Sequence, residues 1–360
     1  MYLKALEQDQ RRFQKSLTKS KGYKPLFVKI KLLWDCNLKC KMCNHWRWRG
    51  AMLDRKILKK LIPDLAKLGC QRIHLSGGEP MMYPNLPQAV KWMRKQGIKV
   101  TLTTNATLFT QEKAKDMVNA GLRKVNISID SPEPALHDHI RGMNGAYERT
   151  MRGTAFLRQA FIDKSGDVAR PAGKIHINMV VNQANYRQVS ELPQLVAKLG
   201  AQGFNLIPIY ARNSELHALN EKQIKEFNEQ IAPVAFQQSQ VLGLEVAPKD
   251  VWVFGTTPEQ IRSSAQGNYA HGYYQTHACY ALWTHALVDH NGNVAPCCTL
   301  TDQVIIGNLA THSFKQIWQG EVFKQLRETA YPIHEACNRC TMFLAKNQQI
   351  ELLSKTEEIR

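Results

Sequence analysis

Cys36, Cys40 and Cys43 form a C-x3-C-x2-C triad directly after the strand-like run Phe-Val-Lys-Ile-Lys-Leu-Leu at 27–33. Thiols at such spacing hold metal, and their number decides what kind of site results. A structural zinc site or an electron-transfer cluster normally takes four protein ligands. Three on one loop leave a metal position open for chemistry. The triad therefore suggests a catalytic iron–sulfur cluster, with a zinc knuckle or three buried cysteines as the alternative.

A second set of thiols stands far along the chain. Cys279 is followed by Gly292, the pair Cys297-Cys298, Gly307-Asn308, a helix start at Ser313, and Cys337-Asn-Arg-Cys340. The nine cysteines are odd in number and clustered, which suits metal binding in a reducing compartment better than a disulfide framework.

A chain of 360 residues, 44% hydrophobic and 22% charged, can build one large domain and a smaller one, each with its own core. No apolar run reaches the roughly 18 to 20 residues that span a bilayer, and the N-terminus lacks the apolar core of a signal peptide. The expected location is the cytoplasm. The net charge of +18 is unevenly placed, with 17 Lys/Arg against four Asp/Glu in the first 60 residues. Such a patch attracts RNA, an anionic membrane, a phosphorylated substrate or an acidic electron donor of flavodoxin or ferredoxin type. Leu3, Leu6, Phe13 and Leu17 recur at roughly helical spacing, so residues 1–24 read as a basic helical extension that packs on the main domain.

From Phe27 onward, strand-like and helix-like segments alternate, the pattern of a parallel α/β domain. Strands are expected at 27–33, 72–75, 99–102, 124–129, 174–181 and 203–209. Helices are expected near 53–68, 86–96, 111–120, 147–162 and 187–199. Functional residues in such a sheet gather at the C-terminal ends of the strands, and the next motifs fall there. Ser76-Gly77-Gly78-Glu79-Pro80 follows the second strand, Thr103-Thr104-Asn105-Ala106 ends the third, and Asn126, Ser128 and Asp130 share one face at the end of the fourth. His137-Asp138-His139-Ile140-Arg141 comes next. Its two histidines read as solvated side chains on a loop.

Together these motifs resemble the radical S-adenosylmethionine (SAM) superfamily. The resemblance implies a partial (β/α)6 TIM-like barrel at 25–210 and a 4Fe-4S cluster on Cys36, Cys40 and Cys43 whose fourth iron binds SAM. Reductive cleavage of SAM to a 5′-deoxyadenosyl radical would then drive hydrogen abstraction. In that likeness Gly77, Gly78, Glu79 and Pro80 hold the methionine ammonium, and Thr104 and Asn105 line the cofactor, although Ala106 replaces the usual glycine. Asn126, Ser128 and Asp130 lie at ribose-contacting positions, Arg141 pairs with the SAM carboxylate, and Met42 stands where an aromatic often touches adenine.

The C-terminal set is similar to a shortened SPASM domain, a small twitch-like iron–sulfur module at 275–345. The likeness implies one auxiliary 4Fe-4S cluster on Cys279, Cys297, Cys337 and Cys340. Cys298 is the alternative to Cys297, and zinc on the same thiols is the alternative to iron. Residues 211–274 bridge the two modules and 346–360 form a C-terminal helix or tail.

Related enzymes act on peptides, proteins or small polyols. Residues 1–24 are too few for a peptide-recognition domain with its own core, which tilts the expectation toward a small polar substrate, sugar-like or anionic. A SPASM-type peptide maturase, an RNA-modifying radical enzyme and a non-catalytic iron–sulfur or zinc protein are the alternatives. A general base among His271, His277, His285, Tyr273, Tyr274 and Asp289 is not assignable without geometry.

Overall fold

The computed structural model describes residues 2–47, 50–210, 216–301, 303–329 and 334–355. The first residues of the expected bridge, 211–215, and the end of the expected tail, 356–360, lie outside them. Nine strands form one sheet: β1 Phe27–Lys31, β2 Arg72–Ser76, β3 Lys99–Thr104, β4 Lys124–Ser128, β5 Lys174–Val181, β6 Gly203–Pro208, β7 His285–Val288, β8 Asn293–Ala295 and β9 Gly307–Asn308. Their spatial order is β6-β5-β4-β3-β2-β1-β7-β8-β9. The run β6 to β1 is parallel, each strand joined to the next through helix, as a partial barrel requires.

Helices form where the pattern carries 3.6 periodicity and caps. Arg55–Lys67 starts at Asp54, whose side chain accepts from Lys56 N–H, and buries Leu58, Leu61, Ile62 and Leu65 on one face. Each such side chain contributes on the order of 1.5–3 kcal/mol by leaving water. Against this layer lie Val28 and Ile30 of β1, Ile73 and Leu75 of β2, and Val125 and Ile127 of β4, all in one core. Alternation then sends the other residues of each strand to the concave face, here called the lumen.

Three features depart from the sequence reading. First, the sheet extends beyond six strands, because β7 pairs parallel with β1 and carries β8 and β9 antiparallel beside it. Second, Pro134–Arg141 is a helix and not a loop, so residue 137 faces inward. His137 is accordingly buried rather than solvated, while His139 is exposed. Third, the N-terminal extension is two short helices, Tyr2–Glu7 and Gln10–Thr18. Leu6 and Phe13 are buried in the main core and Trp283 Nε1 donates to the Ser16 carbonyl.

Candidate functional site

The cysteine loop leaves β1 and returns against the helix Pro134–Arg141. Each thiol meets one donor: Leu38 N–H lies 3.5 Å from Cys36 Sγ, His45 N–H 3.4 Å from Cys43 Sγ, and Arg141 Nη1 3.8 Å from Cys40 Sγ. Leu38, Ala146, Met42 and Met143 pack around them. Burial pushes the Cys36 thiol up to about 12 and Cys40 upward as well. Thiolate character here therefore needs metal, which deprotonates a coordinating thiol outright. Three thiols with one N–H donor each and an apolar wall fit a three-ligand 4Fe-4S cluster.

Glycine at 77 and 78 answers to the backbone of this loop. A Cβ on Gly78 would stand 2.0 Å from the Asp35 carbonyl, and one on Gly77 2.3 Å from the Leu33 carbonyl. Gly78 N–H donates to Leu33 O and Glu79 N–H to Asp35 O, so the segment extends alongside residues 33–35. The close approach inferred for a ligand is thus also an approach to the cluster loop itself. Glu79, 1% exposed, accepts from Met81 N–H (3.0 Å), Thr104 hydroxyl (2.7 Å) and Asn105 N–H (2.8 Å). Its carboxylate ties the β2 and β3 ends together, and Pro80 opens the short helical turn that follows. Asn105 Nδ2 donates to Asn37 Oδ1 at 2.9 Å, linking this turn to the cysteine loop. Ala106 takes φ +61°, the left-handed geometry of the glycine it replaces, at about 1–2 kcal/mol of strain.

On β4, Asn126 and Ser128 face the lumen, but Asp130 does not act with them. Its carboxylate pairs with Arg141 at 2.8 Å and accepts from Val180 N–H at 2.9 Å, and it is fully buried. Its own N–H donates to His137 Nδ1 at 3.2 Å. Arg141 therefore bridges Asp130 to Cys40, joining two assignments that the sequence kept apart. Burial pushes the Asp130 carboxyl up and Arg141 opposes that shift. For the guanidinium, the attraction of Asp130 and of the cluster thiols outweighs burial and raises its pKa.

The C-terminal thiols line one cavity. Cys279, Cys297, Cys337 and Cys340 share it with Tyr274, Leu282, Leu300 and Phe343. Cys298 is absent from the lining and its Sγ lies 3.4 Å from Met342 Sδ. Asn347 Nδ2 donates to Tyr274 Oη at 2.7 Å and lies 3.6 Å from Cys279 Sγ. Four thiols around an apolar chamber with amide and phenol donors fit one fully ligated 4Fe-4S cluster. The expected base candidates scatter: Asp289 caps the β7–β8 turn through Asn291 and Asn293, His271 bonds Ser264, and Tyr273 bonds Glu351. Only His285 of that group sits on a lumen strand.

Sequence reasoning did not find the lumen cations. Lys29, Lys31, Arg72 and Lys124 occupy the alternate positions of β1, β2 and β4, and the signal was the Phe-Val-Lys-Ile-Lys alternation of β1 itself. Two lysines of the basic N-terminal segment thus turn into the barrel.

Family comparison agrees with this architecture. The radical SAM superfamily matches residues 35–180 and the SPASM iron–sulfur cluster-binding domain matches residues 279–341. The chain belongs to the radical SAM superfamily, as an enzyme with a SPASM-type C-terminal domain. It therefore uses SAM and 4Fe-4S clusters. The AdoMet-dependent heme synthase of Methanosarcina barkeri (strain Fusaro / DSM 804) is 29% identical over 337 residues, covering 84% of this chain and 85% of the relative. The PqqA peptide cyclase of Xanthomonas campestris pv. campestris (strain 8004) is 25% identical over 328 residues, covering 88% and 79%. The crystal structure of Streptococcus suis SuiB bound to S-adenosylmethionine shares the fold, with a TM-score of 0.66 at 16% identity over 94% of this chain and 77% of that one. Among the described residues no helix is long and apolar enough to cross a membrane.

Proposed function

We propose that this enzyme abstracts hydrogen from a small polar substrate, sugar-like or anionic, held in the barrel lumen beside the Cys36–Cys40–Cys43 loop. The observation that carries this reading is the lumen lining. A complete barrel is normally filled by branched aliphatic side chains, and this partial barrel departs from that filling. Here the lumen positions of β1 to β5 include Lys29, Lys31, Arg72, His74, Ser76, Thr101, Thr103, Lys124, Asn126, Ser128, His176 and Asn178, with Phe27 and Val180 as apolar exceptions. A polar chamber of this kind is made to hold a polar guest.

In this reading Cys36, Cys40 and Cys43 hold the SAM-binding cluster, and Cys279, Cys297, Cys337 and Cys340 hold the auxiliary one. When bound, the cluster and SAM together supply one-electron cleavage of SAM and the deoxyadenosyl radical. The chain's own groups bind and orient. Glu79 fixes the turns of β2 and β3, so that the backbone of Gly77, Gly78 and Pro80 presents its carbonyls to the methionine ammonium. Thr104 and Asn105 hold the same edge. Arg141, oriented by Asp130, offers its guanidinium to the SAM carboxylate, Asn126 and Ser128 offer polar atoms to the ribose, and Met42 packs on the adenine side. The basic N-terminal helices suit an acidic flavodoxin- or ferredoxin-type donor.

A peptide substrate is the second reading, favoured by the similarity to the PqqA peptide cyclase. The test is anaerobic reconstitution with iron and sulfide quantification, followed by SAM, dithionite and an assay for 5′-deoxyadenosine. About eight irons, with deoxyadenosine formed by the wild type and absent from the Cys36→Ala/Cys40→Ala/Cys43→Ala variant, supports the proposal. Zinc in place of iron, or no SAM cleavage, overturns it.

A further inference from the structure

The lumen is not merely polar; its formal charge has one sign. Lys29 stands beside His74 across the β1–β2 register, Arg72 beside Phe27, and Lys124 beside Thr101. The helix Leu344–Lys355 adds Lys346, whose Nζ lies 5.6 Å from the Phe27 ring centroid and 5.4 Å from that of Phe343. Among the described residues, the lumen positions of β1 to β7 carry no aspartate or glutamate. Glu245, whose carboxylate lies 3.9 Å from His176 Nε2, is itself ion-paired with Lys174.

Among the described residues, Lys29, Arg72 and Lys124 meet no carboxylate on the lumen strands. Burial lowers the pKa of Lys124 and Lys346, and repulsion from Arg72 lowers both further. His74, held between the Thr101 and Thr103 hydroxyls at 2.8 and 3.0 Å, is pushed down to about 3 by burial and then by Lys29, Arg72 and Lys124. Arg72 Nε and Ser76 Oγ are buried without a hydrogen-bond partner among the described residues. Like charges confined together, with donors left open, are destabilising unless a counter-charge arrives.

We propose that the lumen binds a polyanion, a substrate with at least two carboxylate or phosphate groups, through Lys29, Arg72, Lys124 and Lys346. This rests on the reading that the lumen is the substrate chamber. Arg72 supplies a planar fork for one oxyanion, and the lysines supply point charges around the others. The rings of Phe27 and Phe343 beneath Lys346 give an apolar bed for the stem that carries an acidic group. The orphaned Ser76 hydroxyl leaves a neutral donor for a remaining oxygen.

The test is calorimetric titration of the reconstituted holoenzyme, with SAM saturating, against three probes: tricarballylate, inorganic pyrophosphate and the neutral tricarballylamide. Binding of either anion, with the triamide silent, is expected, and the tighter anion says whether carboxylate or phosphate is the natural group. Lys29→Met, Arg72→Met and Lys124→Met each weaken that binding about ten- to hundredfold. Lys124→Arg restores most of it, and Lys115→Met, on an outer helix, changes nothing. The proposal is overturned if neither anion binds better than the triamide, or if Lys115→Met weakens binding as much as the lumen variants. Uncoupled deoxyadenosine formation by the wild type tests the radical reading separately, because anion binding needs no turnover.

Discussion

Asp130→Ala tests the link between the SAM edge of the sheet and the cysteine loop. The substitution removes the carboxylate ion-paired with Arg141, where the guanidinium is 9% exposed and the carboxylate fully buried. It also leaves Val180 N–H without its acceptor. Breaking a buried pair from one side costs about 3–5 kcal/mol, because the remaining charge stays buried. Unfolding entropy of about 2.1 cal/mol/K per residue, over 360 residues, converts that to a fall in Tm of about 4–7 °C. The assay is anaerobic thermal unfolding of the reconstituted protein by circular dichroism. Asp130→Asn, which keeps an acceptor for Val180, falls between wild type and Asp130→Ala. The double variant Asp130→Ala/Arg141→Met recovers part of the loss, since no charge is stranded. A loss in Asp130→Ala below about 1 kcal/mol, or no recovery in the double variant, refutes the argument that this pair is a desolvated unit.

Two further outcomes follow from the described geometry. Cys297→Ser lowers the iron content by about four per chain, whereas Cys298→Ser leaves it unchanged; equal losses would make the two thiols interchangeable as ligands. His285, held at about 3 in the fold against 6.5 unfolded, contributes stability that is present above pH 6.5 and lost as pH falls through that window toward 3. Urea unfolding at pH 7 and pH 5.5 therefore shows a drop that is smaller in His285→Phe by about 1 kcal/mol, and an unchanged drop would mean that His285 protonates without cost.

The six barrel strands were legible because β-branched and apolar residues alternate with polar ones there and the intervening helices carry clear 3.6 periodicity. β7, β8 and β9 were not, because they span His285–Val288, Asn293–Ala295 and Gly307–Asn308. Such short strands carry little periodicity of their own and exist because β1 offers an open edge. The two thiol clusters stood out from their spacing, while which thiols hold metal was read from the family resemblance. Asp130 could be placed at the end of the right strand but not recognised as the partner of Arg141, because 11 positions of chain separate them and the helix between was read as a loop. His137 was misread for want of that helix. The lumen lysines were visible as an alternation, yet alternation leaves open which face meets water.

The insertion of β7 beside β1 has a consequence for anyone who would recombine these enzymes. Cys279 and Cys297 flank that strand in sequence, and its main chain pairs with Phe27–Ile30, the residues that lead into Cys36. Exchanging the C-terminal module for that of a relative would therefore remove a stave of the barrel along with these cysteines. A chimera joined near residue 275 must bring a matching stave or leave β1 as a bare edge. The working unit of exchange is the whole nine-stranded sheet.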